Sequence, residues 1–126
     1  MRRESKRYGE FVDFLASFVV ELNLLSLDGY AVLVEGKRDA EALRNVGFRG
    51  TLLTMASVTV ARGLPDHIVI MTDLDREGGQ LATRLSRKLA RQGVNVSLSH
   101  RKRLLLASRG VFRHIENLSR FGDQLA

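Results

Sequence analysis

The sequence predicts an α/β fold in which helices flank a central, mostly parallel four-stranded sheet, giving three layers. Short apolar runs alternate along the chain with longer segments of helical hydrophobic spacing. That alternation is typical of parallel sheets with right-handed crossover connections. The runs at residues 30–34 and 68–72 are apolar over most or all of their length, as expected for strands buried on both faces of a sheet. We therefore expect these two runs to form the centre of the sheet.

An amphipathic helix is predicted at the N-terminal end, from about Tyr8 to Leu25. Packing of its apolar stripe against the sheet is favoured, and packing against a partner helix is the alternative. The stripe consists of Phe11, Phe14, Leu15, Phe18, Val19, Leu22 and Leu25, which recur at helical spacing.

The remaining elements follow in chain order within one globular domain. We divide that domain into an N-terminal helix (1–28), a core (29–99) and a basic C-terminal extension (100–126). The later predicted elements are a strand at 30–34, a helix from 37 that stops at Gly47, a strand at 51–53, a short helix or loop at 57–62, a strand at 68–72, a helix at 76–92, a strand at 94–98 and a short helix at 111–118.

Acidic residues follow both central runs at the point where each predicted strand ends. Asp73, Asp75 and Glu77 come after one run, and Glu35 comes directly after the other. If the two strands are neighbours, Glu35 faces the aspartates across the edge of the sheet, and oxygen ligands grouped in this way suit Mg²⁺. The alternative is that Asp73 caps the following helix, with Asp75 and Glu77 in its positively polarised first turn.

Two motifs together carry a resemblance to a known family. The residues VEGKRD at 34–39 and TDLDREG at 72–78 resemble the Toprim domain. Topoisomerases, bacterial primases, OLD-family nucleases, the nuclease that matures five-S ribosomal RNA and the RecR recombination protein share this domain. The resemblance covers about residues 30–99. Leu74 is one departure, because topoisomerases usually carry proline there.

The resemblance implies a Rossmannoid fold and roles for individual residues. Glu35 would act as general acid and base, and Asp73 with Asp75 would hold Mg²⁺, with Mn²⁺ as a possible substitute. Glu77 and Glu35 are further candidate metal ligands. Among the basic residues that follow the strands, Lys37 and Arg76 are candidates to clamp the attacked phosphate, whereas Lys37 and Arg38 could instead only offset the nearby acids.

Positive charge is concentrated in the C-terminal half. The formal net charge is +6, yet no acidic residue lies between Glu77 and Glu116, a segment that we call the basic tract. A long stretch of one sign is typical of a surface that contacts nucleic-acid phosphates. Only one aromatic residue, Phe112, lies in the tract, so recognition of backbone and shape is favoured over base stacking. The predicted nucleic-acid contacts are Lys37, Arg38, Arg84, Arg87, Lys88, Arg91, Arg101, Lys102 and Arg103.

These features favour a Mg²⁺-dependent nuclease acting on structured RNA, similar to the ribosomal-RNA maturase. The alternative is a non-catalytic nucleic-acid-binding or assembly module, as in RecR. A homo-oligomer or a protein partner is also possible. Tyr8 and Tyr30 look unavailable as topoisomerase nucleophiles, the three histidines are not expected to form a metal site, and a Ser-His-Asp mechanism has no support. The absence of cysteine excludes disulfides, and no segment resembles a membrane span or a signal peptide, so we expect a cytoplasmic protein.

Overall fold

The computed structural model describes residues 2–60, 63–109 and 111–125, with the backbone alone for residues 2–5, 59 and 60. Its elements alternate as the sequence predicts, and they are numbered here in chain order. They are α1 (Arg2–Leu27), β1 (Tyr30–Val34), α2 (Lys37–Asn45), β2 (Thr51–Thr54), α3 (Met55–Val60), β3 (His67–Ile70), α4 (Arg76–Arg91), β4 (Asn95–Ser97), α5 (Ser99–Ala107), a 3-10 helix (Ile115–Phe121) and α6 (Gly122–Leu125).

The four strands form one sheet in the order β2-β1-β3-β4, and every pair is parallel. The predicted four-stranded parallel sheet is therefore confirmed. β1 and β3 are neighbours at its centre, with Leu33 paired to Ile70. Because parallel strands end at the same edge, the residues that follow β1 and β3 are brought side by side.

Two apolar clusters cover the two faces of the sheet. Val32 and Val69 pack with residues of α1, α2, α5 and the 3-10 helix, whereas Leu33 and Ile70 pack with residues of α3 and α4. Successive residues of a strand point to opposite faces, so each buried run supplies both clusters. The apolar stripe of α1 lies in the first cluster, and its core-packing interpretation is correct.

The structure differs from the sequence prediction mainly in the C-terminal part, where α5 (Ser99–Ala107) has no predicted counterpart. The helix predicted at 111–118 is a 3-10 helix starting at Ile115, whose buried residues Ile115, Leu118 and Phe121 recur every three positions. That spacing gives one face of a helix with three residues per turn. The short helix α3 begins two residues earlier than predicted, and residues 61 and 62 of that prediction lie outside the described residues.

Candidate metal centre at the carboxyl edge of the sheet

The ends of the two central strands are joined by a side-chain hydrogen bond. The backbone N–H of Asp73 donates to Oε2 of Glu35 over 2.7 Å. The two residues are brought together because Met71 extends the pairing of the strands, with its N–H donating to the carbonyl of Leu33. The structure thus places Glu35 against the segment 71–75, which we call the acidic loop.

Separate backbone groups hold the two aspartates of the acidic loop. Oδ1 of Asp75 accepts from the N–H of Gly78 over 2.7 Å, so Asp75 is the N-cap of α4. Oδ1 of Asp73 accepts from the N–H of Ile115 over 2.8 Å, at the start of the 3-10 helix. The helix-cap interpretation, which gave the cap to Asp73 and placed Asp75 in the first turn, is therefore wrong for both aspartates, whereas Glu77 does lie in the first turn of α4. Neither of these two bonds uses the second oxygen of its aspartate.

A histidine from the C-terminal segment completes a compact group of donor atoms. Nδ1 of His114 lies 3.4 Å from Oδ2 of Asp73 and 3.9 Å from Oδ2 of Asp75. One donor atom from each of the three residues lies within 4.8 Å of the others. Two carboxylates and an imidazole are a ligand set that divalent cations accept. The three histidines do not come together, as expected, but the approach of His114 to the two aspartates was not foreseen.

No sequence pattern around His114 pointed to this position. Its one usable signal is that it directly precedes the apolar repeat that begins at Ile115. The residue before a buried helical face is held close to that face, and the bond from Ile115 to Asp73 brings His114 to the acidic loop.

Burial and like charge act together on the acids at this edge. Burial raises the pKa of Glu35, the hydrogen bond from Asp73 opposes that shift, and the carboxylates of Asp73, Asp39 and Asp75 add to it. Burial likewise raises the pKa of Asp39, whose carboxylate accepts from the N–H of Gly36. A bound cation would relieve this repulsion, so the electrostatics as well as the ligand set suit a divalent metal.

Arg101 stabilises the acidic loop through contacts with its backbone carbonyl groups. Its guanidinium donates to the carbonyl of Asp73 over 2.6 Å and to the carbonyl of Thr72 over 3.3 Å. Burial lowers the pKa of Arg101, and the carboxylates of Asp75, Glu35 and Asp73 oppose that shift, so the charge is kept. This structural contact was not foreseen, and the predicted contact of Arg101 with nucleic acid stays a prediction.

Gly78 allows α4 to approach the acidic loop closely. A Cβ atom at this position would overlap the backbone carbonyl of Asp73. On the same side, the hydroxyl of the fully buried Thr72 donates to the carbonyl of Gly78 over 2.7 Å. The sequence TDLDREG therefore encodes a loop whose backbone is packed against the first turn of its own helix.

The other predicted site residues lie around this centre with exposed side chains. Lys37 and Arg38 are in the first turn of α2, and Arg76 and Glu77 are in the first turn of α4. Among the described residues, the three-donor group includes neither Glu77 nor Glu35. Their metal-binding roles, and the phosphate-binding roles of the basic residues, stay predictions.

The basic residues of α4 lead away from the acidic loop. The helix has 16 residues, and at 1.5 Å per residue it is about 24 Å long. Four exposed side chains at helical spacing form what we call the basic face: Arg84, Arg87, Lys88 and Arg91. In α5, Lys102 is exposed, whereas Arg103 forms an ion pair of 2.8 Å with Glu21 of α1.

A serine, a histidine and a glutamate form a second polar cluster that fastens α5 to α1. Oγ of Ser97 lies 2.8 Å from Nδ1 of His100, whose Nε2 lies 3.4 Å from Glu21. Arg103 donates to both oxygens of Glu21. Burial lowers the pKa of His100, which favours the neutral ring. We assign this cluster to packing, because the glutamate is already paired with an arginine.

A parallel sheet with a glutamate after one central strand and two aspartates after its neighbour defines a Toprim-type protein. The Toprim domain family matches residues 30–101, more than half of the chain, and the chain belongs to that family. Membership indicates a divalent-metal-binding function related to nucleic acid. No helix of the described residues is long and apolar enough to cross a membrane.

Similar proteins occur in archaea. The chain is 32% identical over 118 residues to a UPF0292 protein of Thermococcus onnurineus. The matched region covers 90% of this chain and 81% of that protein. The chain is 27% identical over 119 residues to a UPF0292 protein of Methanocaldococcus jannaschii, with 89% and 92% covered. A solved structure described as a putative protein from Aquifex aeolicus has the same fold, with a TM-score of 0.65, 24% identity and coverage of 80% and 94%.

Proposed function

We propose that this protein is a divalent-metal-dependent phosphodiesterase that acts on nucleic acid, with structured RNA as the preferred substrate. The observation that carries the proposal is the hydrogen bond of 2.7 Å between Asp73 and Glu35. It sets a carboxylate with a raised pKa directly beside the candidate metal ligands. A proton-transferring acid next to a metal centre is the arrangement that hydrolysis of a phosphodiester requires.

The candidate ligands are Asp73, Asp75 and His114, with Glu35 and Glu77 as further predicted ligands. We favour Mg²⁺ for its oxygen ligands, and the imidazole adds a reason to test Mn²⁺ as well. When bound, such an ion supplies positive charge that stabilises the developing charge on the attacked phosphate.

The remaining chemistry belongs to the side chains of this chain. Glu35 takes the proton of the attacking water or gives one to the leaving oxygen, and its raised pKa brings it closer to neutral pH. Lys37 and Arg76 are exposed at the starts of α2 and α4, on either side of this edge, where they can hold the phosphate oxygens. Arg101 keeps the carbonyl groups of the acidic loop fixed.

The preference for RNA rests on recognition of shape and backbone. The only aromatic ring of the basic tract, Phe112, is buried, so it cannot stack on a base. The exposed cations of α2, α4 and α5 can contact phosphates without reading sequence. This supports a structured substrate, as in the ribosomal-RNA maturase that the motifs resemble.

The test compares two isosteric variants in a cleavage assay. Labelled structured RNA and duplex DNA are incubated with Mg²⁺ or Mn²⁺ and the wild type, Asp73→Asn or Asp28→Asn. Asp28 precedes β1 at the opposite edge of the sheet, so its variant controls for loss of one carboxylate. We expect the wild type and Asp28→Asn to cleave RNA, and Asp73→Asn to be slower by a factor of at least about 10².

Failure to cleave would have a defined meaning. If the wild type cleaves neither substrate but binds RNA in a salt-sensitive manner without divalent metal, the hydrolase proposal is wrong. The non-catalytic binding or assembly module then becomes the better account.

A further inference from the structure

The C-terminal segment after α5 lies against the acidic loop. The N–H of Leu74 donates to the carbonyl of Arg113 over 2.7 Å, and the N–H of Ile115 donates to Asp73. These bonds hold the residues on both sides of His114 against the loop. The segment lies beyond residues 30–101, so it is not part of the region shared with the Toprim family.

Between this segment and the acidic loop is an open pocket of about 320 Å³. Asp75 and Arg76 line it from the loop and the start of α4, and Ser108, Arg109 and Arg113 line it from the opposite side. The pocket is at the small end of the range for ligand sites and is close to the size of one nucleotide. Because Asp75 lines the pocket and also belongs to the candidate metal centre, the two sites are adjacent.

The arginines of this pocket are not neutralised from within the protein. Arg76, Arg109 and Arg113 are exposed, and across the described ranges no acidic side chain forms an ion pair with any of them. Among the described residues, Asp75 is the only acid that lines the pocket, which leaves a formal surplus of two positive charges. Two arginines of α5 are engaged differently, since Arg103 is paired with Glu21 and Arg101 donates to carbonyls.

We propose that this pocket binds a phosphate group of the nucleic-acid strand whose neighbouring phosphodiester lies at the acidic loop. Guanidinium groups bind phosphate oxygens in pairs of parallel hydrogen bonds, which fixes orientation as well as position. A phosphate held by Arg109 and Arg113 sets the register of the strand, and so selects which bond reaches the metal centre. This inference rests on the proposed function for its substrate, although the pocket itself does not depend on catalysis.

The first experiment measures binding in EDTA, where no metal-dependent cleavage occurs. Labelled RNA strands of equal length, with a 5′-phosphate or a 5′-hydroxyl, are titrated with the wild type, Arg109→Gln/Arg113→Gln, and Arg44→Gln/Arg49→Gln. The last variant removes the same charge from exposed positions at the end of α2 and before β2, at the opposite edge of the sheet from the pocket. Inorganic phosphate serves as the competitor.

We expect the pocket variant to lose affinity by about tenfold and the control variant by less than about twofold, because only the first removes paired contacts to phosphate. If the loss is confined to the 5′-phosphorylated strand, the pocket binds a terminal phosphate. If both strands lose affinity equally, it binds an internal one. Equal losses in the two variants would overturn the proposal, since they would reflect general electrostatic attraction.

The two proposals fail separately. A wild type that never cleaves RNA, but whose binding depends on Arg109 and Arg113, contradicts the hydrolase function and leaves the pocket intact. Cleavage that continues with unchanged product ends in Arg109→Gln/Arg113→Gln overturns the pocket alone. Melting temperatures of the variants, which change only exposed side chains, confirm that each remains folded.

Discussion

The acidic loop and the basic face of α4 carry opposite charges and are built in opposite ways. In the acidic loop, backbone N–H groups hold the carboxylates of Asp73 and Asp75, and the N–H of Asp73 holds Glu35. On the basic face, the side chains are exposed, and no ion pair with them is found in the part of the chain that the structure describes. Carboxylates held by the backbone can fix the position of a bound ligand. Exposed cations attract a negatively charged partner without requiring one particular arrangement.

Substitution of Gly78 should have the largest effect, because it prevents the close approach of α4 to the acidic loop. We expect Gly78→Ala to lower the free energy of unfolding by about 3 kcal/mol, because the new methyl group overlaps the carbonyl of Asp73. Gly79→Ala is the matched control. Its methyl group would meet nothing nearer than Arg101 at 3.7 Å, so stability should be unchanged or raised by up to about 1 kcal/mol. Urea unfolding measures both, and similar losses would contradict the tight loop.

The next effect concerns two arginines of the basic tract. Arg101→Gln should lower the free energy of unfolding by about 2 kcal/mol, because the guanidinium donates to two carbonyl groups of the acidic loop. Arg87→Gln, on the basic face, should change it by less than about 0.5 kcal/mol. Thermal and urea unfolding of the pair distinguish a structural arginine from a surface one. Equal losses of stability would show that Arg101 stabilises the fold no more than the exposed Arg87 does.

A smaller effect of opposite sign is expected at Glu35. Burial and neighbouring carboxylates raise the pKa of Glu35, so the folded protein holds its proton more tightly than the unfolded chain does. The ionised group therefore disfavours folding, increasingly so as the pH rises above 4.5 and through the folded-state pKa. In EDTA, Glu35→Gln should melt at a higher temperature than the wild type at pH 7. The difference should shrink as the pH falls toward 4.5, and a pH-independent difference would contradict this.

Substitutions on the basic face should give the smallest change in the stability of the protein. Arg84→Gln/Arg87→Gln should leave unfolding unchanged, while the slope of log binding constant against log salt for duplex RNA falls by up to about 2. The slope is measured by titration at several salt concentrations. A slope that stays the same would remove the basic face from the nucleic-acid contact surface.

Residue type and periodicity were sufficient to predict the core of the fold. The uninterrupted apolar runs of β1 and β3 predicted central parallel strands, and the acids after them predicted the meeting of Glu35 with Asp73. Such features are local, because strand burial and the position of a strand end are both encoded within a few residues.

The contributions of the C-terminal segment could not be predicted in this way. His114 and Ile115 reach the acidic loop only through tertiary packing, and Ile115 acts through a backbone N–H that every residue type except proline provides. Arg101 lies in a run of three basic residues, and only the packing of α5 separates it from its exposed neighbour Lys102. Long-range contacts of this kind leave no periodic signal in the sequence.

The bond between Ile115 and Asp73 also has a consequence for the newly made chain. Asp73 follows Glu35 by 38 residues, and Ile115 follows Asp73 by a further 42. At usual rates of translation those last 42 residues take roughly 2 to 8 s to synthesise. During that interval the N–H of Ile115 that binds the carboxylate of Asp73 has not yet been made. The candidate metal centre is therefore completed late, when the ribosome has already made most of the chain.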